Sequence, residues 1–330
     1  MKSKLFTIAK IAVSVLLIAY VFSKVPVKEV AASLAAANPW WIALALALFI
    51  VALAINSIKW LVLLRAQQVN VPFRIVLQLT FVGIFFNNLL PANIGGDVMR
   101  GYGMARYTDR TAQAAVSVVL DRFIGLIAYV ATAAVMSIVL VVFLGQSNLR
   151  WLEGVAFVSL AALGGTLAFM LSRRLRGLIG MVFKWRPLQP LAPMFEGVSS
   201  AFEAYRFQYM ALVYAFLLAL AGLMVTNLVN WLLFHATGGD VPFSYVLLFN
   251  PLIALVLLLP ISFGGHGLIQ GAYPFFYGLA GVPQTQAVAV SVLMSFIIII
   301  SSLPGGVLWL RMRRASDEEN PPVPAEQPTS

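Results

Sequence analysis

The stretch NNLLPANIGGDVMRGY, Asn87 to Tyr102, follows the apolar run FVGIFF and decides how the chain is read. Two amides, a proline, a third amide, two glycines, an aspartate and an arginine interrupt an otherwise greasy sequence. Of the 330 residues 61% are hydrophobic and 10% charged, and mean hydropathy is +0.91. A soluble domain is about half apolar and about a quarter charged. This chain therefore reads as an integral membrane protein, and the break at Asn87–Tyr102 is an event at membrane depth.

A break there has a definite cost. Pro91 ends the entering helix, and Gly95-Gly96 lets the chain turn where a side chain would clash. Backbone groups freed by the turn cost several kcal/mol each in hydrocarbon. Asn87, Asn88 and Asn93 are placed to satisfy some of them. The restarting helix offers free N–H groups suited to a phosphate.

The same break recurs as LLPISFGGHGLIQGAY from Leu258. Pro91 aligns with Pro260, Asn93 with Ser262, Gly95 with Gly264, Gly96 with Gly265 and Asp97 with His266. Further on, TAQAAVSVVL from Thr111 matches TQAVAVSVLM from Thr285. Apolar stretches long enough to span are 5–23, 40–64, 111–143, 154–172, 209–235 and 284–310. The regions 73–110 and 243–283 each have two arms around a Pro/Gly break.

Net charge is +10. Lys and Arg gather at Lys2, Lys4, Arg65, Arg74, Arg100, Arg106, Arg110, Arg173 to Arg186 and Arg311 to Arg314. The positive-inside rule places these flanks and both termini in the cytoplasm. That explains the charge better than a nucleic-acid partner does. The intervening loops, 24–39, 144–153 and 236–242, are poor in basic residues. Crossing order then works only if both broken regions are re-entrant, one from each face. The expected fold is an all-α polytopic membrane protein with six spanning helices and two opposed re-entrant helical hairpins. The hairpins belong to an inverted repeat, about 73–143 and 243–310, a recurring transporter design. The transmembrane domain would cover residues 1–312, and 313–330 would form a disordered cytoplasmic tail. The N-terminal segment reads as a retained helix rather than a cleaved signal.

Asp97 and Arg100 share a face of the restarting helix. Asp121-Arg122 lie inside an apolar run. The candidate head-group site comprises these four with Asn88, Asn93, Gly95, Gly96, Ser262, Gly264, Gly265, His266 and Gln270; Arg100 and Arg122 would hold a phosphate and Asp97 and Asp121 orient those arginines, with anchoring and packing roles as the alternative readings. His266 reads either as a residue that couples transport to protons, as the imidazole side chain can, or as a hydrogen-bonding filler, and Gln270 bonds a head group or a neighbouring helix. His235 reads as interfacial, Asn227 and Asn230 as interhelical glue, and Lys59 as a snorkelling anchor. The Arg173–Arg186 segment reads as an amphipathic surface stretch on anionic lipid. With no cysteine and two histidines in no metal-binding pattern, neither a metal nor another cofactor is expected.

NNLLPANIGGDVMR, VVLDRFIGL and LLPISFGGHGLIQGAY together resemble the lysylphosphatidylglycerol synthase transmembrane region, or flippase-like domain, family over nearly all of 5–312. The resemblance implies a multi-pass protein of a bacterial or archaeal cytoplasmic membrane that moves lipids between leaflets. The lipids linked to the family include aminoacylated phospholipids and hopanoids. Its first motif falls on Asn88, Pro91, Gly95, Gly96, Asp97 and Arg100, and its acid–Arg pair on Asp121 and Arg122. Its second motif matches at Gly264, Gly265 and Gly267, but Ile269 and Gln270 stand where an Arg and a Glu are usual. No soluble aminoacyl-transferase segment is seen, so lysyl transfer is not expected.

The resulting expectation is a lipid flippase, with a phosphate-bearing or otherwise polar head group between the two GG turns. Two other readings remain: an intramembrane transferase acting on a lipid head group, and a membrane subunit docking a separate soluble lipid enzyme. No catalytic or ATP-binding motif is present to favour either enzyme chemistry or direct ATP drive.

Overall fold

The computed structural model describes residues 23–89, 95–140, 192–257 and 267–319, with Gly265 and isolated positions between 16 and 21 and between 154 and 189. Most of spans 5–23 and 154–172, nearly all of the 173–186 segment, both break prolines, Asn93, Ser262, Gly264 and His266 lie outside the described residues. All described elements are helices: α1 Val27–Ala35, α2 Pro39–Ala66, α3 Phe73–Leu89, α4 Gly95–Thr108, α5 Thr111–Ile138, α6 Ala192–Ala204, α7 Tyr209–Ala236, α8 Phe243–Leu257, α9 Leu268–Gly278 and α10 Gln284–Glu319. The chain is an all-helical polytopic membrane protein. Among the described residues, α2, α5, α7 and the Gln284–Met312 part of α10 are long and apolar enough to cross a membrane.

Two expectations change. The segment 24–39, read as a loop, contains α1, which starts after Pro26 where proline's fixed φ costs nothing. The tail does not begin at 313, because α10 continues to Glu319.

Among the described elements, helices α2 and α7 form the most extensive contact. They run antiparallel. The Asn38 N–H, at the start of α2, donates to the Ala236 carbonyl at the end of α7. At the other end, Gln67 Nε2 donates to the Ala204 carbonyl at 2.9 Å and Tyr205 Oη to the Leu63 carbonyl at 2.7 Å. Burial raises the Tyr205 phenol pKa, so it stays a donor.

Helix α3 folds back on α4, and α8 on α9. Gly83 lies against Gly96, and Leu79 against Gly103. In the second hairpin Tyr277 Oη donates to Asn250 Oδ1 at 2.9 Å. The two ends of each hairpin meet. Arg110 Nη1 donates to the Gln68 carbonyl at 2.8 Å across the mouth of the first, and Gln286 packs on Thr237 and Gly239 across the mouth of the second. Because α2 and α7 are antiparallel, the two mouths open at opposite ends of the bundle. At 1.5 Å per residue the longest described arm, the 17 residues of α3, reaches about 26 Å, short of a ~30 Å hydrocarbon core.

The contacts come in matched pairs. Exchanging α2–α5 for α7–α10 turns α3 with α10 into α8 with α5, and α4 with α5 into α9 with α10. Helices α2 and α7 are both 28 residues long. The step along the chain from Pro39 to Tyr209, where they start, equals the step from Phe73 to Phe243, where α3 and α8 start. The matched unit thus begins at α2, one helix earlier than residue 73.

Candidate functional site

The site is built where α4 meets α5 and α2. Gly96 permits the meeting. A Cβ on Gly96 would lie 1.9 Å from the Gly83 carbonyl oxygen, so only glycine lets α3 and α4 touch backbone to backbone. The Gly96 N–H donates to Asn87 Oδ1 at 2.8 Å. Asn87 thereby satisfies a helix-start donor that the sequence left open for a phosphate.

One turn on, Asp97 and Arg100 point into the bundle. Arg100 Nη2 lies 3.0 Å from Asp97 Oδ1 and 2.7 Å from Asp121 Oδ2 of α5. Arg122 Nε donates to the other Asp97 oxygen. Lys59 Nζ of α2 lies 3.2 Å from Asp121 Oδ1. The Arg100 guanidinium sits 4.9 Å over the Trp60 ring, whose Nε1 donates to Ser117 Oγ at 3.0 Å. Three cations and two carboxylates thus form one network of net charge +1. Arg100, Asp121 and Lys59 side chains are all at least 89% buried, while Arg122 is one-third exposed.

Two atoms of the network keep unused capacity. Arg100 Nε is buried with no acceptor. Asp121 Oδ1 is paired with Lys59 but not in hydrogen-bonding alignment. The network lines a cavity of about 300 Å³, whose wall also includes Asn56, Asn87, Gly96 and Tyr129. A second cavity of about 320 Å³ adjoins it and reaches Asn88, Thr226, Gly265 and Ser295.

Among the described residues, the second unit repeats the arrangement without charge. Gln270 of α9 donates from Nε2 to Ser295 Oγ of α10 at 3.1 Å, and its Oε1 accepts from the Gly267 N–H at 2.7 Å. The step from Arg100 to Gln270 equals the step from the start of α3 to the start of α8. The step from Asp121 to Ser295 equals the step from Thr111 to Thr285. Gln270–Ser295 therefore occupies the place of Arg100–Asp121. Contact geometry pairs Arg100 with Gln270, one position off the pairing read from the motif.

The model of the lysylphosphatidylglycerol synthase transmembrane region matches residues 7–306. The chain belongs to that family. Relatives of this lysylphosphatidylglycerol synthase transmembrane-region protein include a UPF0104 membrane protein of Methanothermobacter thermautotrophicus, 25% identical over 82% of this chain and 86% of the relative. Another, from Pyrococcus horikoshii, is 23% identical over 83% and 88%. No solved structure matches.

Within this family member the structure brings together Asn88, Gly95, Gly96, Asp97, Arg100, Asp121, Arg122 and Gly265 of the sequence-derived set around the two cavities or at the turn beside them. Gln270 is 8% exposed, spends both ends of its amide on protein partners and lines neither cavity. Sequence reasoning missed Lys59 and Trp60. Lys59 was read as snorkelling, yet it is 5% exposed and ion-paired to Asp121 on another helix.

Proposed function

We propose that this protein moves a phosphate-bearing lipid head group between membrane leaflets. The observation that carries this reading is the buried network around Arg100. It has a net charge of +1, a cavity beside it, and a guanidinium N–H without an acceptor. Ionisable groups at membrane depth are expensive and mark sites of passage, and a phosphate oxygen is the natural partner of an open guanidinium donor. In this reading both hairpins are re-entrant and both termini are cytoplasmic. The end of the bundle holding Arg65, Arg110 and Arg206 is then the cytoplasmic face. Acyl chains stay outside the charged cavity; an almost wholly apolar crevice of about 530 Å³ beside α9, edged by Lys24, suits a tail.

Two experiments test the reading. In proteoliposomes, the Arg122→Gln variant is expected to slow exchange of fluorescent phospholipid between leaflets by about tenfold or more, while unfolding near the wild-type midpoint. Unchanged exchange in a folded variant would overturn it. The cysteine-free sequence makes site-directed labelling direct. Gln68→Cys and Asp109→Cys should react with impermeant reagent from one face, and Gly238→Cys from the other; labelling of Gln68→Cys and Asp109→Cys from opposite faces would rule out re-entry.

A further inference from the structure

We infer that the head group taken by this site has two chemically distinct parts, a single anionic phosphate and an uncharged hydroxyl-bearing group beyond it, and that head groups bearing an ammonium are disfavoured. This rests on the lipid-translocation reading and narrows its substrate class.

The charged cavity does not end at the ionic network. It shares Leu53, Asn56, Ile84, Asn87 and Tyr129 with the adjoining cavity, so the two lie against the same side chains. One of the shared residues is Asn56 of α2. Its counterpart in the matched unit, Thr226 of α7, lines the second cavity, so both matched units contribute to its wall. The two parts differ in chemistry. The first holds all five charges. The second, among the described residues, has no carboxylate, ammonium or guanidinium in its lining.

What the second part offers is neutral hydrogen bonding of both polarities. Asn88 Nδ2 is a buried donor with no acceptor. Asn56 gives its Nδ2 to the Ala52 carbonyl at 3.0 Å, leaving its amide oxygen to accept. Thr226 donates to the Gly222 carbonyl at 2.9 Å, leaving the lone pairs of its hydroxyl. A hydroxyl donates and accepts, and answers all three groups. An ammonium donates only, and would leave Asn88 Nδ2 unpaired.

Charge gives the same answer independently. Asp97 already contacts Arg100 and Arg122, and Asp121 already contacts Lys59 and Arg100. A monoanionic phosphodiester neutralises the net charge of +1. A zwitterionic or cationic head group brings an ammonium into a neutral or positive space with both carboxylates already engaged.

The test uses the full chain in liposomes with trace acyl-labelled phosphatidylglycerol, phosphatidylinositol, phosphatidylethanolamine or phosphatidic acid, read by quenching of outer-leaflet label. The glycerol and inositol lipids are expected to exchange about tenfold faster than phosphatidylethanolamine, with phosphatidic acid between. Phosphatidylethanolamine within roughly threefold of phosphatidylglycerol overturns the inference while leaving the translocation reading standing. If all four stay in their leaflet, phosphatidic acid included, the translocation reading falls and this inference with it. In the Asn88→Leu/Thr226→Val variant the advantage of the hydroxyl-bearing lipids over phosphatidic acid should shrink to below roughly threefold; an undiminished advantage would overturn the assignment of the neutral cavity. The wild-type ranking stands as a test even if that variant does not fold.

Discussion

The two halves of this bundle solve one packing problem with different chemistry. In the first, Arg100 on α4 reaches Asp121 on α5, with Lys59 closing the group from α2. In the second, Gln270 on α9 reaches Ser295 on α10, and Val229 of α7 stands at the position matching Lys59. Both hairpins hold, so the architecture does not require charge. Burying Lys59, Asp97, Arg100 and Asp121 is costly, and apolar or neutral replacements of a buried ion pair are often as stable or more so. The second half shows what a neutral solution looks like in this fold. On the proposed reading, the charges of the first half serve a ligand rather than the fold.

The comparison can be broken most forcibly at Asp121. Asp121→Asn leaves Lys59 and Arg100 buried beside each other with one carboxylate fewer. Removing one partner of a buried pair costs about 3–5 kcal/mol, and denaturant unfolding in detergent should show a loss of that size. Ser295→Ala in the second half should cost only about 1 kcal/mol.

Gly96→Ala probes the close approach of α3 and α4. The added Cβ meets the Gly83 backbone, which cannot step aside cheaply, and overpacking of this kind costs about 1–3 kcal/mol. The counterpart test is Gly271→Ala in α9, where the nearest atom to an added Cβ is Val21 Cγ2 at 3.9 Å. That change should be neutral or stabilising by up to ~1 kcal/mol, because alanine favours helix. Thermal unfolding of both variants, side by side, checks the contrast.

A smaller effect is expected at Tyr277→Phe. Asn250 Oδ1 loses its donor in a buried place, which costs about 1–2 kcal/mol. Trp60→Phe should cost a similar or lesser amount in stability, about 0.5–1.5 kcal/mol, by removing the bond to Ser117 and weakening the stack under Arg100. Tyr277→Phe should leave lipid exchange near wild type, whereas Trp60→Phe should slow it. Equal transport effects would remove the functional contrast between the halves.

Much of this was legible from Asn87–Tyr102. Two glycines, an aspartate and an arginine after an apolar run announced both the turn and the charged face, and VVLDRFIGL supplied the second carboxylate and arginine. Lys59 was not legible. Its partner Asp121 is remote in the chain, and nothing local distinguishes a buried lysine in an apolar helix from one that snorkels. The full matched unit was half-hidden for a related reason. Helices α2 and α7 are apolar along their length and carry little positional pattern. Val71-Pro72-Phe73 and Val241-Pro242-Phe243, set at the same step as the starts of α2 and α7, were the signal that marked the unit's true extent. The pairing of Arg100 with Gln270 needed the helix contacts, because the sequence match ran through a turn where a single-position slip goes unseen.

On the proposed reading the first half carries its charge for a ligand, and the fold does not need it. The direct test is to give the first half the second half's residues, in the variant Lys59→Val/Arg100→Gln/Asp121→Ser, and to measure unfolding and phospholipid exchange on the same preparation. The expected result is a folded protein with a midpoint near wild type and exchange reduced by about tenfold or more. Wild-type exchange, or a chain that no longer folds, would contradict it.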